Sequence, residues 1–238
     1  MTDGQAAAER VEEIAAPDPR RWRILGVTLV VGFMSLLDVT IVNVALPSIR
    51  SGLGASTASV QWIVSGYALA FGLTLVTGGR LGDAWGRRRM MLIGLVGFLV
   101  GSAGVGFAPT ASIAVAARFV QGAAAGLLTP QNSGLIQQLF RGPERGRAFG
   151  LFGFTVAVSS AIGPVLGGLI IAAAGPEQGW RYIFLVNLPI GLVVLVLIAR
   201  MVPGRPPGVT AAERQLDLIG AGLLGLAVLS LLYPMVRV

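Results

Sequence analysis

Seven apolar runs dominate the chain, at Arg23 to Pro47, Gln61 to Leu81, Met90 to Ala108, Ala111 to Leu128, Ala148 to Ala174, Tyr182 to Val202 and Leu216 to Met235. Each is long enough to cross ~30 Å of hydrocarbon as a helix. Lipid offers the backbone no hydrogen bonds, so a spanning segment must satisfy its own, and runs of this length do so as α-helices. Only 12% of the residues are charged and the mean hydropathy is +0.78, against about 25% charged in soluble domains. The predicted fold class is therefore an all-α membrane protein. Residues 1–21, polar and interrupted by Pro17 and Pro19, read as a tail. Residues 22–202 hold six spans, 203–215 a linker, and 216–238 a seventh span. The fourth run can continue past Pro130 to Phe140, because Pro kinks a membrane helix without ending it. The first run is too long for a signal-peptide core, and no small-residue cleavage site follows it, so it is expected to stay as an anchor.

All 18 basic residues are Arg, and 11 acidic residues leave a net charge of +7. The pI of about 11.3 would suit a nucleic-acid partner. The Arg residues instead cluster between apolar runs, as in loops beside an anionic leaflet, so no nucleic-acid partner is expected. With the N-terminus in the cytoplasm, fourteen lie inside (Arg10, Arg20, Arg21, Arg23, Arg80, Arg87, Arg88, Arg89, Arg141, Arg145, Arg147, Arg200, Arg205, Arg214) and three outside (Arg50, Arg181, Arg237). This positive-inside bias predicts a multi-pass protein of a cell inner or plasma membrane, with Val238 outside. Cys and His are both absent. Thiol nucleophiles, imidazole relays and the metal sites built from them are excluded, and no metal or cofactor is implied. Proton chemistry falls to Asp, Glu or Tyr.

An ionisable side chain at the bilayer centre costs roughly 2.5 to 3.5 kcal/mol on insertion scales, so it persists when paired or used. Asp38 in the first span and Arg118 in the fourth lie nine residues from Pro47 and Pro109, respectively. At 1.5 Å per residue both are expected ~13 Å from the outer helix ends, where they can neutralise each other if the helices touch. A fixed ion pair serving packing alone is the plain alternative. Gln121 is one helical turn from Arg118 and beside it. Thr40, Asn43 and Gln121 are candidates for a polar cavity, and Asn43 and Gln121 serve equally well as ordinary interhelical hydrogen bonds. Gly97 and Gly101, Gly122 and Gly126, and Gly163 and Gly167 have the four-residue spacing that lets helix backbones approach. Asp83, just after the second run, can cap a helix N-terminus.

Gly79-Arg80-Leu81-Gly82-Asp83-Ala84-Trp85-Gly86-Arg87-Arg88-Arg89 resembles the loop signature of the major facilitator superfamily, matching at Gly79, Leu81, Asp83, Gly86 and Arg87 and departing at Gly82 and Ala84. Leu37 to Pro47 resembles the first-helix motif of the superfamily's drug-proton antiporters with fourteen helices. Arg118-Phe119-Val120-Gln121-Gly122 resembles their fourth-helix motif, and Ser159 to Gly168 their fifth-helix antiporter motif, matched at Gly163, Pro164, Gly167 and Gly168. Trp180 to Pro189 is similar to the start of their sixth helix. The resemblance implies proton coupling through Asp38 and Arg118, a gating loop at Gly79, Asp83, Gly86 and Arg87, and export of small amphipathic or cationic molecules. It covers half a transporter: the six-helix N-terminal bundle and one further helix. The implied partners are the substrate, protons, the lipid bilayer, and either a C-terminal half or a second copy. The competing reading is a truncated membrane fragment without transport of its own. A membrane enzyme is disfavoured by the lack of His, Cys and paired carboxylates.

Overall fold

The computed structural model describes residues 18–204. The linker from residue 205, the seventh apolar run and most of the N-terminal tail lie outside the described residues. Helices α1 (Arg21–Leu53), α2 (Thr57–Trp85), α3 (Arg87–Gly106), α4 (Ala111–Leu139) and α5 (Gly142–Ala174) each form one span. The sixth span, Gly179–Met201, comprises α6 (Gly179–Leu185) and α7 (Asn187–Met201), joined through Val186, whose backbone stays helical and donates to the Tyr182 carbonyl at 2.9 Å. All six are long and apolar enough to cross a membrane. Among the described residues there is no strand.

The first two helices overrun their apolar runs at both ends. α1 continues through Pro47 to Leu53, where Gly54 turns left-handed at φ 57° and the N–H of Ala55 reaches back to the Arg50 carbonyl at 2.9 Å. Pro47 is exposed on the helix surface, where its missing N–H and its ring disturb no packed neighbour. α4 runs through Pro130 to Leu139, the longer of the two extents read from its sequence. α2 extends to Trp85, so Asp83 lies within its last turn, not beyond it. The break between α2 and α3 falls on Gly86, whose φ of 95° few other residues adopt. Ser56 and Thr110 cap α2 and α4, their hydroxyls accepting from the N–H groups of Ser59 and Ile113.

The packing pairs have a regular plan. α2 lies along α4, and α1 along α5; α3 packs on α4, and the sixth span on α1. Exchanging the first three spans with the second three maps each pair onto another, α2 with α4 becoming α5 with α1. Three is odd, so the second set starts from the opposite membrane face. The spans therefore form two inverted repeats.

All three glycine pairs sit at these contacts. A Cβ at Gly122 or Gly126 would run into the Tyr67 or Phe71 carbonyl of α2, and one at Gly101 would lie 2.6 Å from the Gln121 Cβ of α4. At Gly163 it would collide with the Thr40 hydroxyl of α1, and at Gly167 it would lie 2.9 Å from Ile41. Close approach also admits hydrogen bonds between helices, such as Thr74 Oγ1 donating to the Ala123 carbonyl at 2.9 Å.

Candidate functional site

Asp38 and Arg118 meet. Arg118 Nη1 donates to Asp38 Oδ2 at 2.5 Å, and the two residues are 2% and 1% exposed, respectively. Their distances from the helix ends differ from the expected ~13 Å. Because α1 runs on to Leu53, Asp38 stands about 22 Å from its end, whereas Arg118 is about 10 Å from the start of α4. Helix packing, not matched counts to the ends, brings the charges together.

The guanidinium has further partners. Nε donates to the Ile63 carbonyl at 3.0 Å and Nη1 to Gln121 Oε1 at 2.7 Å. Its carbon lies 4.1 Å from the Tyr67 ring centroid and 5.7 Å from that of Phe184, within cation–π range. On the carboxylate side, Gln121 Nε2 donates to Asp38 Oδ1 at 2.9 Å and to Ser102 Oγ at 2.7 Å. Asn187 Nδ2 donates to the same two oxygens, each at 3.3 Å. Every span except α5 contributes to this layer.

The layer lies between two apolar plugs. Met34, Phe98, Ala125 and Val194 belong to one core cluster, and Ile41, Val105, Ala114 and Ile183 to another. Along α1, α3, α4 and the sixth span, the polar residues Asp38, Ser102, Arg118 with Gln121, and Asn187 fall between members of the two. Desolvation strengthens such a network and also makes an unpaired member costly.

The three cavity candidates separate. Gln121 is 0% exposed and spends its amide within the layer, so it does not face an open side of the bundle. Thr40 is half-buried at the α1–α5 contact, donating to the Leu37 carbonyl at 3.0 Å and the Ser159 carbonyl at 3.3 Å. Asn43 alone is exposed, on a stripe of α1 with Pro47 and Arg50. Of the fifth-span motif, Gly163 and Gly167 touch α1, whereas a Cβ on Gly168 would meet nothing within 4 Å. Pro164 lies inside an unbroken α5.

The α2–α3 junction forms a second polar cluster. Asp83 caps neither α2 nor α3; its carboxylate accepts from Arg87 Nη2 across the Gly86 break and is 65% exposed. Arg87 lies over Gly134 of α4, where a Cβ would collide with it. Gln131 donates to the Gly78 carbonyl at 2.7 Å, and its Oε1 fills the space a Cβ on Gly82 would take. Gly82, a departure from the signature, is thus matched to Gln131. A Cβ on Gly79 would meet Pro130 only at an ordinary 3.5 Å.

Sequence reading missed Tyr67, Ser102, Gln131, Asn132 and Asn187, all buried. Asn187 carried some signal as a carboxamide in an apolar run, two residues before Pro189. Tyr67 and Ser102 are ordinary in membrane helices and carried none.

Six long apolar helices closed around a buried ion pair define a multi-pass membrane bundle. The chain belongs to the Major Facilitator Superfamily, which it matches over residues 28–236. It is 42% identical over 226 residues to the probable actinorhodin transporter of Streptomyces coelicolor, covering 94% of this chain and 38% of that protein. It is 36% identical over 218 residues to the tetracenomycin C resistance and export protein of Streptomyces glaucescens, covering 92% and 39%. The fold matches the inward-open xylose transporter XylE from E. coli with a TM-score of 0.68 at 18% identity, over 90% of this chain and 56% of that one. The chain thus spans about two fifths of the length of these curated relatives.

Proposed function

We propose that the chain is the N-terminal half of a proton-driven exporter of small amphipathic or cationic molecules, with its N-terminus in the cytoplasm of a cell inner or plasma membrane. The observation that carries this reading is the Asp38–Arg118 pair, a carboxylate buried at membrane depth with its cation on another helix. Intramembrane carboxylates of this kind mark ion pathways. A proton on Asp38 would remove the charge attraction between α1 and α4, which belong to different repeats. Arg118 would still hold the Ile63 carbonyl, Gln121 and two aromatic rings. The cation is thus prepared for a neutral Asp38. Relatives named for antibiotic export and resistance support a drug-like substrate.

Asp38 faces into its own half, away from the exposed stripe that carries Asn43, Pro47 and Arg50. Proton and substrate would therefore act on different faces of α1, coupled by repacking of the helix. In this reading Asn43 lines the substrate path, with Thr40 and Gln121 behind it. Gly163 and Gly167, with Pro164 between them, set how α5 bears on α1 while Gly168 faces away from it, and Gly79, Asp83, Gly86 and Arg87 form the gate at the cytoplasmic end. A second six-helix half, or a second copy, would cover the exposed face.

Asp38→Asn in the complete transporter is expected to abolish uphill efflux under an imposed proton gradient. Unchanged efflux and pH dependence would remove Asp38 from coupling. For the isolated 238-residue chain in proteoliposomes, no gradient-driven dye extrusion is expected. Extrusion by a demonstrated monomer would sink the half-transporter reading.

A further inference from the structure

Asn187 is the first residue of α7, next to Val186 in the middle of the sixth span, and it is 2% exposed. Its Nδ2 donates at 3.3 Å to both Asp38 Oδ1 on α1 and Ser102 Oγ on α3. Gln121 Nε2 donates to the same two oxygens from α4. Two carboxamides from opposite sides therefore bracket one carboxylate oxygen and one hydroxyl. Arg118 takes the other carboxylate oxygen.

We propose that Asn187 is a positioning residue for the Asp38 carboxylate, with Ser102 aligning it, and that it sets the acidity at which Asp38 takes up a proton. The inference rests on the proton-exchange reading of Asp38. The reasoning is local. A donor to a carboxylate favours the ionised form, and burial amplifies the preference because no water can replace the donor. Asn187 makes the longest bonds in the layer, so it is the donor released most readily when Asp38 is neutralised. Its release would loosen the tie from α1 and α3 to the sixth span. The titratable groups facing the layer are Arg118 from α4 and Tyr67 from α2. α3 and the sixth span bring Ser102, Phe184 and Asn187, and α5 brings Ser159 to the neighbouring contact with Thr40; none of these titrates. The charged residues of these three spans stand near their ends, at Arg87 to Arg89, Glu144 to Arg147, Arg181 and Arg200. Asn187 is thus the group on the sixth span able to respond to the Asp38 charge.

The test uses the full chain in lipid nanodiscs and follows the infrared band of the neutral Asp38 carboxyl, identified by its loss in Asp38→Asn, as pH is varied. Asn187→Leu, close in volume and without a donor, is expected to move the midpoint of the band upward by about one pH unit, the scale of one lost charged hydrogen bond. Ser102→Ala is expected to move it the same way by less. Packing alone would lower thermal stability and leave the midpoint in place. A wild-type midpoint in folded Asn187→Leu overturns the proposal while leaving proton exchange at Asp38 intact. If Asn187→Leu does not insert, a wild-type midpoint in Ser102→Ala overturns it. Absence of any titrating Asp38 band in the unmodified chain overturns both this inference and the reading beneath it.

Discussion

The two polar clusters of the bundle are built to opposite standards. In the layer around Asp38, both carboxylate oxygens and the Arg118 guanidinium have partners, and Asp38, Ser102, Arg118, Gln121 and Asn187 are all nearly inaccessible. At the α2–α3 junction, Arg87 Nε and Gln131 Oε1 are buried without hydrogen-bond partners, while Asp83 stands largely in the open. An unsatisfied buried polar atom costs about 1–3 kcal/mol, and native proteins keep few. The difference separates a site whose polar atoms are paired among the described residues from one whose polar atoms are not.

The largest expected effect comes from breaking the completed layer. Arg118→Leu leaves Asp38 buried without its cation, a loss of about 3–5 kcal/mol in the stability of the bundle. Thermal unfolding in detergent should show the deficit as a lowered midpoint. Adding Asp38→Asn to Arg118→Leu should recover part of it. Additive losses would mean that the pair is not energetically coupled.

Next comes the contact that positions α1. Gly163→Leu places side-chain atoms where Thr40 lies and should cost about 1–3 kcal/mol by overpacking. Gly168→Leu, facing open space, should leave the unfolding midpoint within error. Equal effects at both positions would show that α5 does not press on α1 through Gly163.

The junction should yield smaller changes. Gly82→Ala crowds Gln131 and should cost about 1 kcal/mol, restored by adding Gln131→Ala; failure of the restoration would separate the two residues. Asp83→Asn loses an exposed ion pair and should change the stability of the chain by under about 1 kcal/mol. A larger loss would mean that the junction is as self-sufficient as the Asp38 layer.

The candidate site was legible in proportion to what each residue costs in lipid. Asp38 and Arg118 stood out because charge is expensive there, and Gln121 followed from its helical spacing beside Arg118. Gln121 was also a candidate for a polar cavity, while its amide is spent on Asp38 and Ser102. A carboxamide has the same signature whether it faces a cavity or a buried carboxylate, and which one applies depends on helix rotation. The place of Asp83 failed for a related reason. Hydropathy ended the second span at Leu81, but backbone hydrogen bonding carries α2 to Trp85, where Gly86 stops it.

Length and apolarity by themselves determined six membrane helices in the described region, because a backbone in lipid has few other ways to satisfy its hydrogen bonds. The four-residue glycine spacings marked faces of close approach, since a missing Cβ admits a neighbouring helix whatever that helix is. Only the tertiary structure decided which neighbours these are and that Ser102, Tyr67 and Asn187 join the ion pair. It also placed Asp38 facing inward between two apolar plugs. Hydrogen bonds between side chains far apart in sequence depend on the rotation and register of several helices at once, and no single helix carries that information.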